Sequence, residues 1–291
     1  MKRVIYSLYI DIPLNECDQQ VPYENDTVSK TIRTKEIFQQ EHPRLLEVQQ
    51  KYAKNIDVDY LIFYEDEQYK EFYNYYRKNY PEINTYSIVN FYKIHLMYLL
   101  KEQYDEILYL DLDVVPFTNE SFFDFWKLEK GICVYNNNHF INKRSLPLLS
   151  LNVDNRSPTA KYYNCQAMLI HEGYSPKNDV INTAIVGANK QHIEQLKYFD
   201  NFNKTLDLMT EVRKDKDNMY PKNISNVFAY DNETVFSYKV QTTNTPIQWL
   251  DTVWHFFCSK VPYIPRKTKF CHVVDKKFKP VWEIYDEIHN L

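Results

Sequence analysis

The stretch EILYLDLDVVP, from Glu106 to Pro116, joins an apolar run to two aspartates that stand one residue apart. The run before the aspartates is short, aliphatic and aromatic, which predicts a buried β-strand. An ionised carboxylate is costly to bury without a partner of opposite charge. Because side chains alternate along a strand, we expect Asp111 and Asp113 on the same side, with Leu112 facing the other way. The stretch therefore predicts a strand that ends at a cation-binding site.

The composition of the chain limits the kinds of protein that it can be. It has 291 residues, of which 44% are hydrophobic, so one large α/β domain can form, and we expect a single domain. The formal net charge is −4, and the basic residues are spread along the chain. This distribution argues against a nucleic-acid-binding protein. The 26 tyrosines and only 3 glycines are typical of an AT-rich genome, viral or protist.

The cysteines and the N-terminus indicate a cytoplasmic protein. Five cysteines without a C-x-x-C spacing predict reduced thiols instead of a zinc site or a disulfide framework. The N-terminal apolar run is interrupted by Ser7 and Asp11 and lacks a small-residue cleavage site, so no signal peptide is predicted. No apolar run approaches the ~18 residues of a transmembrane helix.

The first part of the chain alternates predicted strands and helices. Runs of β-branched and aromatic residues predict strands at Val4–Ile12, Val58–Asp66, Ile83–Val89 and Glu106–Val115. Helical spacing predicts three helices. The first covers residues 29–54 with a break at Pro43, the second follows Asp66 and ends at about Tyr80, and the third covers Asn90–Gln103 with Asn90 as N-cap. This order predicts an α/β fold with a mostly parallel central sheet flanked by helices. Ligands bind beyond the carboxyl ends of such strands, where Asp11 also lies.

The second part of the chain alternates less regularly. We predict strands at Gly131–Asn137 and Tyr163–Gly173, and a helix over Asp179–Phe199 that is clearest from Lys190. Asp231 precedes a further helix as a capping residue. Near the C-terminus, a short apolar piece leads into the basic loop HVVDKKFK, which begins at His272.

The aspartate pair suits a divalent metal. Two carboxylates on one side of a strand are hard oxygen ligands of the kind that Mg²⁺ or Mn²⁺ takes together with substrate phosphates. A D-x-D tripeptide alone is common, and its aspartates often cap helices or pair with lysines. The hydrophobic strand that runs directly into Asp111 and Asp113 makes the longer motif more specific.

The segment YLDLDVVP resembles the Asp-x-Asp motif of nucleotide-sugar-dependent glycosyltransferases with the A-type (GT-A) fold, above all glycosyltransferase family 8. The resemblance implies a single Rossmann-like GT-A domain over residues 1–291. The first half, about residues 1–115, would bind the nucleotide sugar. The second half, about residues 116–291, would bind the acceptor and supply a C-terminal loop that binds the metal and the phosphates. It also implies that Asp111 and Asp113 hold a divalent metal on the donor diphosphate.

Three further segments match the family in order, with departures. Lys93 stands nearest to an arginine that the family places near the donor, and Asn164 matches the asparagine of its Asn-Ser-Gly element. His272 matches the histidine that is the third metal ligand in the family's terminal motif, although Asp275 replaces a glycine there. The phosphate-binding lysine of that motif has three competing matches, which are Lys276, Lys277 and Lys279.

Other residues are weaker candidates. Tyr9 and Asp11 follow the first strand, where similar enzymes bind the base, commonly uracil; alternatively, Tyr9 is a core residue and Asp11 a turn residue. Asp231 and Glu233 are either helix-capping acids or acceptor-side carboxylates. A group of aromatic residues is either a sugar-stacking platform or part of the core, the second being favoured, and comprises Trp249, Trp254 and Tyr263.

Together these features predict a glycosyltransferase that uses Mn²⁺ or Mg²⁺ and moves a sugar from a UDP-sugar to a hydroxyl of a glycan acceptor. One alternative is a nucleotidyltransferase or phosphohydrolase with the same metal site. Sugar nucleotidyltransferases carry a glycine-rich loop after their first strand, whereas YIDIPLNECDQQ has no glycine. Another is a catalytically silent carbohydrate-binding protein, which predicts the loss of a metal ligand. The resemblance implies retention of the anomeric configuration, but inversion stays open.

Overall fold

The computed structural model describes residues 1–16, 30–137, 164–175, 179–216, 219, 230–258 and 263–289. Contacts divide these residues into two compact units. The first unit comprises Met1–Leu128, Ala184–Lys190 and Leu250–Leu291, and the second comprises Glu129–Thr183 and Gln191–Trp249. The expectation of one domain with two halves stays a prediction.

The strands and helices follow one another in mixed order along the chain. The strands are β1 Arg3–Leu8, β2 Asp59–Phe63, β3 Glu106–Leu110, β4 Val114–Pro116, β5 Ile132–Asn136, β6 Ile181–Asn189, β7 Ile247–Trp249, β8 Phe256–Phe257 and β9 Phe270–His272. The helices are α1 Lys30–Asn55, α2 Glu67–Asn79, α3 Thr85–Leu100, α4 Phe122–Phe125, α5 Asn164–His171, α6 Lys190–Leu196, α7 Phe202–Lys214, α8 Asn232–Thr243 and α9 Phe278–His289.

The larger sheet has the strand order β2-β1-β3-β6-β5-β7. β1 pairs in parallel with both β2 and β3, so that Val4 lies opposite Asp59 on one side and Ile107 on the other. β6 runs antiparallel to β3, and β5 is parallel to β7. The predicted α/β fold with a mostly parallel sheet and flanking helices is therefore confirmed.

A smaller sheet in the first unit, with the order β4-β9-β8, joins distant parts of the chain. In its antiparallel β4–β9 pair, Val114 lies opposite His272. The residues beneath this sheet form a core cluster with α1 and α9 that includes Leu45, Val115 and Val281. The pairing brings the end of the chain to the residues that follow β3.

Helix α1 is continuous, although Pro43 was expected to interrupt it. Proline removes one backbone hydrogen bond from a helix interior. Buried residues at helical spacing after Pro43, including Leu45, Val48 and Tyr52, fix the second half of α1 against the core. Trp282 of α9 donates a hydrogen bond from Nε1 to Glu41 on the other side of the proline at 2.7 Å. Tertiary packing therefore outweighs the local effect of Pro43.

The second unit contains the parallel pair β5–β7 and the helices α5, α7 and α8, with α5 packed against both α7 and α8. Gly131 precedes β5 with a φ of +149°, and a Cβ atom there would lie 2.6 Å from the carbonyl oxygen of Pro246. This close approach of two backbones requires glycine.

Three further sequence predictions of secondary structure were wrong. Most of the predicted strand Ile83–Val89 belongs to α3, which begins at Thr85 and has Asn84, not Asn90, as its N-cap; the Asn84 side chain accepts a hydrogen bond from the amide of Ser87. Tyr163–Gly173 contains helix α5 instead of a strand, because a short apolar run fits a buried helix as well as a strand. The predicted helix over Asp179–Phe199 begins as β6, since pairing with β3 outweighs local propensity.

Candidate functional site

The D-x-D residues form a turn between the two sheets. Strand β3 ends at Leu110, and the turn is closed by a hydrogen bond of 2.9 Å from the amide of Val114 to the carbonyl of Asp111. The predicted arrangement is found, since the ligand atoms of Asp111 and Asp113 lie within 4.8 Å of each other. The predicted cause, alternation along one strand, was wrong, because the chain leaves the first sheet at Asp111 to enter the second at β4. Leu112 is buried in the core, and the two carboxylates are left to face other groups.

Gln49 supports this turn from within α1. Its Nε2 donates to the carbonyl oxygens of Asp111 and Val114 at 3.0 and 2.8 Å. Its Oε1 accepts from the hydroxyls of Ser7 and Tyr60 at 2.6 and 2.9 Å. Gln49 is fully buried, so its polar atoms need these partners. Our sequence analysis missed this role, because the partners are distant in sequence.

Asp111, Asp113 and His272 come together at this turn. Each offers one ligand atom, and these atoms all lie within 4.8 Å of one another. The pairing of β4 with β9 positions His272, and the amide of Val273 donates to the carbonyl of Asp113 at 2.9 Å. The two carboxylates are oxygen ligands that Mn²⁺ or Mg²⁺ takes together with phosphate oxygens or water. The imidazole of His272 offers a nitrogen ligand beside them. The residues therefore fit the predicted metal, and their role as ligands stays a prediction.

The carboxylate of Asp111 is held on one oxygen by two side chains. Oδ1 accepts a hydrogen bond of 2.5 Å from the Tyr109 hydroxyl and one of 3.2 Å from Nζ of Lys93. Burial, and then the charge of Asp111, raises the pKa of Tyr109 well above its usual value, so the hydroxyl remains a donor. Lys93 is itself buried, and its backbone carbonyl accepts from the Tyr6 hydroxyl at 2.6 Å. Asp111 is thus oriented by a network that begins inside β1 and α3.

The carboxylate of Asp113 is buried and paired with two basic groups. Its Oδ2 accepts a hydrogen bond from Nζ of Lys276 and lies 3.3 Å from Nε2 of His272. Burial alone would raise the pKa of Asp113, but the charges of Lys276 and His272 outweigh it and hold the pKa well below its usual value. Asp113 therefore stays ionised, as a metal ligand must.

A second histidine lies behind His272. Nε2 of the buried His255 is 3.1 Å from Nδ1 of His272, and the His255 ring stacks on Phe257. This contact leaves Nε2 of His272 directed at Asp113. Partners of this kind fix the ring orientation of metal-binding histidines. Our sequence analysis missed His255, because nothing in WHFF distinguishes it from a core residue.

Of the three candidate lysines for phosphate binding, Lys276 alone is seen at the triad within the described residues. Its side chain contacts Asp113 and lies over the ring of Phe38, with Nζ 5.1 Å from the centroid. Its φ of +56° is unusual for a residue with a Cβ atom. Lys277 and Lys279 are exposed.

Tyr9 and Asp11 lie just beyond β1. The ring of Tyr9 packs against His42 of α1, with the centroids 4.5 Å apart, and also contacts Tyr64, which follows β2. The carboxylate of Asp11 is paired with Lys35 and accepts from Gln39 at 3.1 Å. The structure therefore adds an aromatic cluster, Tyr9, His42 and Tyr64, at the carboxyl ends of two parallel strands.

The remaining candidates of the second unit have local contacts. Asn164 begins α5 and is fully buried, and its side-chain amide finds no hydrogen-bond partner within the described residues. Asp231 caps α8 by accepting from the amide of Glu233 at 3.2 Å. Oε1 of Glu233 in turn accepts from Nδ2 of Asn182 at 2.9 Å and from the amide of Thr183 at 3.1 Å. The acceptor-side role of both carboxylates stays a prediction.

The three aromatic residues weighed as a sugar platform have different environments. Trp254 is 1% exposed and packs edge-on against Phe122 and Phe270, so the core interpretation is confirmed for this residue. Trp249 and Tyr263 are exposed, so they do not belong to the core.

Among the described residues, no helix is both long and apolar enough to cross a membrane.

The comparisons with known proteins concern the family and the fold. The model of the family described as glycosyl transferase family 8 matches residues 24–203, which include Asp111 and Asp113 but not His272. No curated protein matches the chain.

Several solved structures are similar to the chain at low identity. A glycosyltransferase involved in glycosylation of the major capsid of PBCV-1 has 12% identity and a TM-score of 0.44, over 99% of this chain and 100% of that one. The galactosyltransferase LgtC has 10% identity and a TM-score of 0.47, over 99% and 95%. Mouse xyloside xylosyltransferase 1 has 10% identity and a TM-score of 0.40, over 74% and 75%. At these TM-scores the similarities support no inference about the site.

Proposed function

This chain belongs to glycosyl transferase family 8, and from that premise we propose that it transfers a sugar from a UDP-sugar to a hydroxyl group of a glycan acceptor. The observation that carries the proposal is the convergence of Asp111, Asp113 and His272, whose ligand atoms lie within 4.8 Å of one another. These three residues would hold Mn²⁺ or Mg²⁺. When bound, the cation would neutralise negative charge that develops on the leaving diphosphate.

The basic residues beside the triad support the same chemistry. Lys93 lies 3.2 Å from Asp111, and Lys276 contacts Asp113, so each ammonium group stands next to a proposed metal ligand. We propose that both lysines hold phosphate oxygens of the donor. Ammonium groups beside the leaving group stabilise the negative charge that develops on a diphosphate. Lys279 is exposed, which makes it the weaker candidate for this role.

The roles of the outer residues are proposed from their positions. The cluster of Tyr9, His42 and Tyr64 offers aromatic faces at the carboxyl ends of β1 and β2, where the base of a nucleotide would stack. Asp11 would contribute to this part of the donor site. In the second unit, we propose Asn164 for donor-sugar binding and Asp231 with Glu233 as acceptor-side carboxylates.

The test is a panel of UDP- and GDP-sugars, with hydrolysis or transfer measured in Mn²⁺, in Mg²⁺ and in chelator. We expect turnover of at least one UDP-sugar that requires the metal. Asp113→Asn should reduce that turnover by ~10²–10³-fold, since it removes one carboxylate from a preorganised site. The matched control is Asp124→Asn, because Asp124 is an exposed aspartate of the same unit that pairs with Arg3.

Thermal unfolding of both variants separates lost chemistry from lost folding. Metal-independent turnover that Asp113→Asn does not change would contradict the proposed site. Release of a sugar 1-phosphate, without release of UDP, would favour the phosphohydrolase or nucleotidyltransferase alternative, because both reactions break the bond between the two phosphates of the donor.

A further inference from the structure

Each aspartate of the triad is paired with one lysine. Nζ of Lys93 lies 3.2 Å from Oδ1 of Asp111, and Nζ of Lys276 binds Oδ2 of Asp113. Both lysine side chains are largely removed from solvent, with 5% of Lys93 and 16% of Lys276 exposed. The two carboxylates and two ammonium groups therefore sum to a net charge of zero.

This pairing opposes the binding of a cation alone. Oδ2 of Asp113 faces both Nε2 of His272, at 3.3 Å, and the ammonium of Lys276. A divalent cation held by Asp113 and His272 would need the region that Lys276 already occupies. Two positive groups a few ångströms apart in a buried site repel each other strongly. Lys276 and the metal thus compete for one carboxylate.

The two lysines differ in their freedom to move away. Lys93 belongs to helix α3, and only 5% of its side chain is exposed, against 16% for Lys276. Lys276 belongs to the loop between β9 and α9, and its neighbour Lys277 is exposed. The four-carbon stem of a lysine can carry its ammonium to a nearby anion. A diphosphate supplies such an anion, and it also compensates the charge that a divalent cation adds.

We infer that Lys276 makes the binding of metal and diphosphate interdependent: its ammonium competes with the metal for Asp113 until a diphosphate attracts it away. The inference rests on the proposed function for the identity of the diphosphate. Since coupling between two ligands is reciprocal, UDP should strengthen Mn²⁺ binding by the same factor as Mn²⁺ strengthens UDP binding. The metal and the donor would then bind together.

Calorimetric titration with Mn²⁺ tests the competition directly, first without nucleotide and then with saturating UDP. In the wild type we expect UDP to strengthen Mn²⁺ binding ~10-fold or more, within the ~5–150-fold range usual for coupled sites. Lys276→Met should strengthen the binding of Mn²⁺ alone ~10-fold and reduce the effect of UDP. The matched control is Lys277→Met, which removes an exposed charge from the same loop and should leave both values unchanged.

The inference is overturned if Lys276→Met binds Mn²⁺ alone no more tightly than the wild type does. Lys276→Gln, which keeps a polar group beside Asp113, serves if Lys276→Met unfolds. Failure of UDP to bind under any condition would contradict the proposed donor, while the comparison in Mn²⁺ alone would still decide the competition. Inorganic pyrophosphate in place of UDP then shows whether the diphosphate alone carries the coupling.

Discussion

Replacing Tyr109 with phenylalanine removes one hydroxyl group and keeps the ring that packs between Tyr6 and Lys93. The lost interaction is the 2.5 Å hydrogen bond from the Tyr109 hydroxyl to Oδ1 of Asp111. Asp111 would retain its contact with Lys93 at 3.2 Å. The change therefore affects the orientation of one proposed metal ligand and leaves that ligand's charge in place.

The expected magnitude follows from the burial of this bond. Hydrogen bonds to charged groups contribute ~1.5–3 kcal/mol to stability. The Asp111 side chain is 28% exposed and keeps a second partner, so we expect the lower part of this range, ~1.5–2 kcal/mol of unfolding free energy. Removal of a group that orients a metal ligand usually lowers metal affinity ~10–100-fold, and we expect the same loss for Mn²⁺ here.

The assay combines chemical denaturation with Mn²⁺ titration in the presence of UDP. Tyr52→Phe is the matched control, because the Tyr52 hydroxyl is also buried but bonds the backbone of Glu120 and Phe122, at 2.9 and 3.0 Å. The control should lose stability and keep its metal affinity. If Tyr109→Phe loses stability but binds Mn²⁺ like the wild type, the Tyr109 hydroxyl does not orient Asp111 for metal binding.

Three further substitutions test other parts of the structure. His255→Phe keeps an aromatic ring but removes the nitrogen beside His272, so Mn²⁺ affinity should fall ~10–100-fold in the same titration; unchanged affinity would contradict the orienting role. Gly131→Ala should lower the unfolding free energy by ~1–3 kcal/mol, because its Cβ would collide with the backbone of Pro246; a wild-type denaturation midpoint would contradict this. Asp231→Ala should cost ~0.5–2 kcal/mol through the lost cap of α8, measured by thermal unfolding, and no loss would argue against capping.

The sequence was most informative where one physical constraint dominated. The apolar run of β3 and the strand-helix alternation before it were enough to predict the parallel arrangement of β1, β2 and β3. The resemblance of the motif around Asp111 and of the loop after His272 to glycosyltransferase family 8 was enough to nominate a triad that the fold brings together. The strand predictions depended on local composition, and the triad depended on this resemblance.

Predictions failed where tertiary contacts decided the structure. The apolar residues of α5 fit a strand equally well, and only packing against α7 and α8 makes the segment helical. The turn at Asp111 depends on Gln49, which lies 62 positions away and resembles any polar residue of a helix. His255 is informative only once β8 and β9 lie side by side. Partners far apart in sequence leave no local signal.

The proposed metal site is tested most directly by anomalous diffraction at the manganese absorption edge from crystals grown with Mn²⁺ and UDP. We expect one strong peak at roughly 2–2.5 Å from a carboxylate oxygen of Asp111, a carboxylate oxygen of Asp113 and Nε2 of His272, in contact with the diphosphate. Bound UDP without a peak at these residues, or a peak held by other side chains, would contradict it.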